Sequence, residues 1–553
     1  MTATHLVALL SSLAAARAPT PPRDTLPSPR VTIDAGVVVG AYFGPSRAER
    51  MFLGIPYAAP PVGARRWRPP ERPAPWTHPR DASRFGAACP QSKAAREEYL
   101  AAARDLASAM PWYDRLTFDE DCLTLNVFTT APDARARRPV IVWIHGGAGV
   151  AGTGALPPLG PGLARAGVVF VYINYRLGLL GLLAHPELSR ESRHRASGNY
   201  AILDQIAALR WVQRNIARFG GDPARVTIMG SSAGSVYTCF LMATPLARGL
   251  FHRVIAESGG CRDYLMPELS RAIEYEEGHG SAEDRGRRLA SHFGLAVDRA
   301  GLAALRRAPA DEIVEQQSDS LLSLEAGATV DGWVLREQPA LAFDAGRQAR
   351  VPILVGSNAD EMTIQYDPTR DPHTRAGYEA WIRGHFGPLA DDALAMYPAV
   401  SDDSVRAAYI RLTTDYLYGY SSRLIATDQV RLGAPAYLYF FTFPPHDADA
   451  WLGAYHGAEM KYVGGEFRHT HAWPPTAADS AFGEAMRAFW VSFARDGRPA
   501  APGAPAWSPY DPHRDECYEL GTSFGPRPCP RVDRMGLMGR TLGAKVARWY
   551  GAR

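Results

Sequence analysis

A chain of 553 residues with 46% apolar side chains can bury a large core, and 60 basic against 57 acidic residues leave a net charge of only +3. With no long run of either sign, the composition carries no electrostatic footprint for a nucleic-acid partner and fits a small-molecule site better. Six cysteines, Cys89, Cys122, Cys239, Cys261, Cys517 and Cys529, form no C-x-x-C pair, which argues against a structural zinc site and leaves disulfides or buried thiols.

In chain order, Leu6 to Ala16 is an apolar stretch too short to span a bilayer, and Ala16-Arg17-Ala18 has the small-x-small form of a cleavage site. Residues 1–18 are therefore expected to be a signal peptide and the protein to be secreted or periplasmic, although Met1 to His5 lack the usual Lys or Arg. Residues 19–30 are Pro-rich and polar, expected as a disordered leader, and no later segment reads as a membrane helix. Val31 to Val39 alternates around a glycine like a hairpin, and Glu120 to Phe128 alternates like a strand. Pro139 to Ile144 and Val168 to Ile173 are continuous apolar runs suited to buried strands. The first of them stops at the glycine-rich loop His145-Gly-Gly147-Ala148-Gly149, whose backbone donors are exposed at a strand end.

From Gly198 to Phe219 the apolar residues Ile202, Ile206, Leu209, Val212 and Ile216 recur at helical spacing, and Gly220-Gly221-Asp222-Pro223 ends that helix. Val226 to Met229 then reads as a strand and Val236 to Met242 as the start of a helix, with Gly230-Ser-Ser232-Ala-Gly234 as the sharp turn between them. Such a turn holds a serine exposed in a strained geometry, and a Cβ at either glycine would press on the neighbouring backbone. The five-residue pattern alone is common, so its partners must decide. Val351 to Val355 is a further strand ending in Gly356-Ser-Asn-Ala-Asp360-Glu361, Ala436 to Phe443 another, and Phe482 to Ala494 an amphipathic late helix. Gln316 to Leu324 and Asp367 to Tyr397 read as helical or irregular insertions that wall a substrate gorge. Strands alternating with helices imply a mostly parallel sheet covered on both faces, with ligands beyond the carboxyl ends of its strands.

With these segments in place, the chain resembles the type-B carboxylesterases, the cholinesterase-like branch of the α/β-hydrolases. The resemblance rests on Gly54-Ile-Pro-Tyr-Ala58, Pro60-Pro61-Val-Gly63, Glu120-Asp-Cys122-Leu, Trp143-Ile-His-Gly-Gly147, Asn174-Tyr-Arg, Gly198-Asn199 with Asp204-Gln205, Phe219-Gly-Gly-Asp-Pro223 and Gly249-Leu-Phe251 leading to Ser258-Gly259. It implies an α/β-hydrolase fold over residues 31–545, no cofactor or metal, and a small-molecule ester as substrate; the oligomeric state is not readable.

The same resemblance assigns roles. Ser232 is expected to attack the ester carbonyl, His456 to move its proton, and Glu361 to orient the imidazole, with Asp360 as the competing acid that chemistry alone does not separate. The N–H groups of Gly147, Ala148 and Ala233 are the expected oxyanion donors, each worth about 2.7–4 kcal/mol. Ala148 stands where the family usually has a third glycine, so its Cβ is expected to narrow the pocket or restrict φ. Trp112, Ser231, Leu265 and Ile364 are the expected substrate-contacting residues. Ser231 replaces a common Glu, and Ile364 stands where a second aromatic is expected beside Trp112, so a broad ester pocket fits better than choline specificity. Disulfides are expected at Cys89–Cys122 and Cys517–Cys529, the second stapling a Pro-rich loop, while Cys239 on its apolar helix reads best as a buried thiol.

Rival readings are weaker. Gly147-Ala-Gly149-Val-Ala-Gly152 also spells a dinucleotide fingerprint, but it runs into Leu156-Pro-Pro-Leu-Gly-Pro161 rather than opening a helix, and the next strand ends at Asn174 with no acid. His469-Thr-His471 has no acidic or cysteine partners at ligand spacing. A cholinesterase-like binding protein would lack a member of the Ser, acid, His set, and all three are present.

Overall fold

The computed structural model describes residues 27–44, 46–99, 116–155, 159–262, 265–271, 280–316, 327–446, 450–465 and 475–551. The signal-peptide expectation, Trp112, most of Gln316 to Leu324 and the His469-Thr-His471 pair lie outside them. The strands are β1 (Arg30–Ile33), β2 (Gly36–Val39), β3 (Ala41–Tyr42), β4 (Arg50–Pro56), β5 (Arg80–Asp81), β6 (Thr124–Thr129), β7 (Arg138–Ile144), β8 (Val169–Ile173), β9 (Gly221–Ser231), β10 (Arg253–Glu257), β11 (Ile353–Asn358), β12 (Ala436–Phe441), β13 (Glu516–Leu520) and β14 (Phe524–Pro528). Among the described residues, eleven of them form one sheet in the order β14-β13-β12-β11-β10-β9-β7-β8-β6-β4-β3, and β1, β2 and β5 form a small second one. From β8 to β13 every neighbouring pair is parallel, and the flanks are antiparallel.

Why the central strands read as unbroken apolar runs is clear from their two faces. Val140, Val142 and Ile144 of β7 face one cluster with Val226 and Ile228, under helices α1 (Tyr200–Asn215) and α2 (Ala233–Ala243). Ile141 and Trp143 alternate to the other face with Met229, Ile255 and Leu354, beneath a later helix, Ala477–Asp496, through Phe489, Trp490 and Phe493. Each fully buried side chain of this kind stabilises the fold by about 1.5–3 kcal/mol, so both faces of the sheet are committed and the rim at its strand ends is left for chemistry. Within Asp367 to Tyr397 the insertion folds as helices Arg375–Phe386 and Ala390–Met396. A third apolar cluster there joins Tyr378, Ile382, Tyr409, Leu412 and Tyr420 to Leu537 and Met538 of the C-terminal helix.

The disulfide pattern corrects the sequence reading. Cys89 and Cys122 are bridged, but the second bridge joins Cys239 to Cys261, and Cys517 and Cys529 are free buried thiols. Adjacent parallel strands explain the first change: β9 and β10 are neighbours, so α2, which follows β9, runs beside the loop that follows β10, with Cα atoms of the two cysteines 5.9 Å apart. The second change lies within a hairpin. The segment after Cys517 is an antiparallel hairpin in which Cys517 stands opposite Arg527 and Glu516 opposite Pro528, so Cys529 is a diagonal neighbour of Cys517. The two buried thiols meet across that diagonal at hydrogen-bond reach and remain unbridged.

Candidate active site

Ser232 stands between β9 and α2 with φ 58° and ψ −131°, a conformation that costs a non-glycine residue energy and persists because its surroundings fix it. Those surroundings are backbone. A Cβ on Gly234 would lie 2.1 Å from the carbonyl oxygen of Ile144, and one on Gly230 would lie 2.4 Å from the backbone of Gly234. No side chain fits at either position, which is why the turn carries glycine on both sides of the serine. The Ser232 N–H donates to Glu257 O at 2.9 Å, tying the elbow to β10.

The loop after β7 meets this elbow directly: a Cβ on Gly146 would lie 2.9 Å from Ser231 O and 3.1 Å from Ser232 Cβ. His145 is the buried foot of the loop. It stacks on Tyr175 at 4.3 Å, its carbonyl accepts from the Tyr175 hydroxyl at 2.6 Å, and its Nδ1 lies 2.9 Å from Gly146 O. Burial pushes its pKa down to about 4, so the ring is neutral at working pH and Nδ1–H is the donor in that contact. Gln91, two residues from the Cys89 bridge, pins the far end of the loop through Gly152 at 2.7 and 3.0 Å. Gly147 has φ +102° and Ala148 φ +53°, so the alanine sits in the left-handed region that the family's glycine would take without cost. Among the described residues the N–H groups of Gly147, Ala148 and Ala233 donate to no backbone partner, and Ala233 is the first residue of α2, where the helix itself supplies none.

The acid and the histidine arrive from the next two strands. Glu361 follows the carboxyl end of β11, and His456 lies in the loop beyond β12. His456 Nδ1 is 2.6 Å from Glu361 Oε2, and the His456 N–H donates to the Glu361 carbonyl at 3.2 Å. An ionised carboxylate only accepts, so Nδ1 carries the proton and Nε2 keeps its lone pair. Asp360 is occupied elsewhere: its Oδ2 accepts from the Ala454 N–H at 3.0 Å, two residues ahead of the histidine. The geometry therefore pairs His456 with Glu361 and gives Asp360 the loop.

Behind this pair lies a buried polar layer that the sequence did not announce. Asn358, last residue of β11, donates its N–H to Glu361 Oε1 at 2.8 Å and its amide to Tyr455 O at 2.8 Å and Glu459 Oε2 at 2.5 Å. Burial, and then the Glu361 charge, push Glu459 up to about 7. Burial, and then Glu459, hold Glu257 well above the usual carboxylate range, with Trp490 Nε1 donating to it at 2.7 Å. Glu459 follows His456 by three residues, a spacing that could have been noticed; Glu257 and Asn358 reach the site only because β10 and β11 are neighbours in the sheet.

Of the expected substrate contacts, Ser231 and Leu265 are buried, and Ile364 is 37% exposed at the rim.

A mostly parallel sheet with a strained serine at a strand-to-helix turn and a histidine–carboxylate pair on the same carboxyl rim defines an α/β-hydrolase. Residues 27–527 match the carboxylesterase family, and the chain belongs to that family and is a carboxylic ester hydrolase. It is 36% identical to fumonisin B1 esterase of Sphingopyxis macrogoltabida over 503 residues, 88% of this chain and 86% of that protein. It is 33% identical to para-nitrobenzyl esterase of Bacillus subtilis (strain 168) over 479 residues, 85% of this chain and 91% of that one. Among solved structures, a PNB esterase matches with a TM-score of 0.75 and 30% identity, covering 92% of this chain and 99% of that chain.

Proposed function

We propose that the protein cleaves small-molecule carboxylic esters through an acyl-enzyme on Ser232. His456 Nε2 takes the Ser232 hydroxyl proton as Oγ bonds to the carbonyl carbon, then delivers it to the departing alcohol oxygen. A water molecule repeats the sequence on the acyl-enzyme, giving up its proton to His456 and releasing the acid with Ser232 restored. Glu361 holds the imidazole tautomer and stabilises its cation, and the N–H groups of Gly147, Ala148 and Ala233 receive the oxyanion.

The observation that carries this reading is the 2.6 Å contact of His456 Nδ1 with Glu361 Oε2 at the rim where Ser232 is held at positive φ. Unengaged amides on the loop that abuts the serine support the oxyanion assignment. The names of the relatives place fumonisin B1 and para-nitrobenzyl esters among the compounds worth trying. The Cys89–Cys122 and Cys239–Cys261 bridges favour a secreted or periplasmic location, since such bonds persist in oxidising compartments. No helix among the described residues is long and apolar enough to cross a membrane.

The test is hydrolysis of p-nitrophenyl butyrate by the wild type and by Ser232→Ala. The expected loss in kcat is about 10⁶-fold, leaving the remnant that the oxyanion site and binding supply. Comparable rates in the two proteins would rule the mechanism out.

A further inference from the structure

The helical run from Asp402 to Arg431 is not uniform. An α-helix, Asp402–Thr414, gives way to a π turn at Asp415–Gly419 before a second α-helix, Tyr420–Arg431, takes over. A π turn inserts one residue into the helical repeat, re-aims the side chains around it, and recurs at functional sites.

This one is firmly held. The buried Asp415 carboxylate accepts from Arg531 Nη1 at 2.5 Å and from the Tyr397 hydroxyl at 2.7 Å, with Arg534 Nη1 at 3.6 Å. Arg531 also reaches the carbonyl of Ala359 at 3.4 Å, two residues ahead of Glu361. The Met362 N–H donates to the Thr414 hydroxyl at 3.3 Å. The turn and the acid-bearing loop are thus tied together on both sides of Glu361, and both arginines lie beyond residue 527, where the family match ends.

What the turn presents is Tyr418. Its ring centroid is 4.8 Å from that of His456 with the planes tilted by 40°, and its hydroxyl sits 3.2 Å from Gln365 Nε2. We propose that Tyr418 is a positioning residue for His456: its ring sets the plane of the imidazole, and its π face favours the imidazolium formed when Ser232, and later water, gives up a proton. The inference rests on the reading of His456 as the base. A cation within about 6 Å of an aromatic centroid is attracted by the ring quadrupole. Among the described residues, the other titratable groups that face the imidazole are Glu361, at hydrogen-bond distance, and Glu459, from the helix Glu459–Gly464. Both remain when only Tyr418 is changed, so a Tyr418 series varies the ring against an unchanged pair of acids.

The experiment is kcat, KM and the pH profile of kcat/KM on p-nitrophenyl butyrate for three Tyr418 variants, with melting temperatures measured alongside. Tyr418→Leu is expected to lower kcat about three- to tenfold at nearly constant KM and to move the acid limb about half a pH unit lower, because the imidazolium loses support. Tyr418→Phe keeps the ring and stays within about twofold of the wild type. Tyr418→Trp, with the stronger π face, moves the acid limb to higher pH and decides the matter if the leucine variant fails to fold. An acid limb that stays put in folded Leu and Trp variants, or that moves lower in Trp, overturns the proposal. Ser232→Ala and His456→Ala are run in parallel: turnover surviving in them defeats the triad reading itself, whereas turnover lost in them with an unmoved Tyr418 profile defeats this inference alone.

Discussion

The two halves of the site are held by different physics. On the nucleophile side, β7, β9 and the helix after Ser232 meet backbone to backbone, and the geometry is set by where a Cβ does not fit: 2.1 Å from Ile144 O at Gly234 and 2.9 Å from Ser231 O at Gly146. On the histidine side the geometry is set by side chains, with Glu361, Asn358 and Glu459 linked by contacts of 2.5–2.8 Å and no water-accessible surface on either acid. The first kind of constraint is steric and indifferent to pH. The second is electrostatic, so protons and single charges can disturb it.

The contrast is broken most severely at the adjacent acids. Glu361→Gln keeps the shape but presents an amide that no longer fixes the Nδ1–H tautomer or supports the imidazolium. Its kcat is expected to fall about 10⁴-fold. Asp360→Asn keeps an oxygen that accepts from the Ala454 N–H and removes only its charge, so its loss is expected to stay within about tenfold, the difference between a charged and a neutral hydrogen bond. Steady-state rates on a short p-nitrophenyl ester, with both variants checked for folding, decide between them. Equal losses would mean that the loop geometry, and not the Glu361 contact, is what His456 depends on.

The same contrast explains what was legible in the sequence. Steric constraints leave residues behind: Gly230 and Gly234 flank the serine, Gly146 and Gly147 mark the loop, and continuous apolar runs mark strands buried on both faces. Those signals foretold the parallel sheet and its carboxyl rim, though β9 extends back to Gly221, past the Gly-Gly-Asp-Pro stretch read as the end of a helix. Electrostatic constraints leave no local pattern. Asn358 and Glu257 look ordinary in the chain, and their part in the site depends on strand order. The cysteines make the same point: Cys517 and Cys529, plausible partners by spacing, stay free thiols in contact across a hairpin, while Cys239 finds Cys261 because two strands are neighbours.

A proton provides the next test. Glu459 has its pKa raised from 4.5 to about 7 in the folded protein, by burial first and then by Glu361. Below the unfolded value both states carry the proton, and the contribution to stability is fully present. As pH rises through about 7 the unfolded chain has already released the proton that the folded protein retains or gives up at a cost, so stability is lost. Glu459→Gln cannot ionise. Its melting temperature relative to the wild type is therefore expected to improve from pH 5 to pH 8, and a difference that is constant over that range would show that Glu459 does not titrate as its surroundings dictate.

The smallest effect belongs to a loop position where the nucleophile side carries a Cβ that its backbone does not favour. Ala148 occupies φ +53° with a Cβ that glycine would omit. Left-handed backbone costs an L residue about 1–2 kcal/mol, whereas a glycine there adds unfolded-state entropy worth about 0.4–1 kcal/mol, so Ala148→Gly should stabilise the protein by between nothing and about 1.6 kcal/mol. Because the amide is kept, the oxyanion donor survives, and kcat on a short acyl ester should be unchanged. Removing an exposed methyl from the loop should instead raise kcat/KM for bulky acyl groups relative to acetyl. A kcat loss of about tenfold or more on the short ester would mean that the Ala148 Cβ stiffens the donor loop, and that this half of the site depends on a side chain after all.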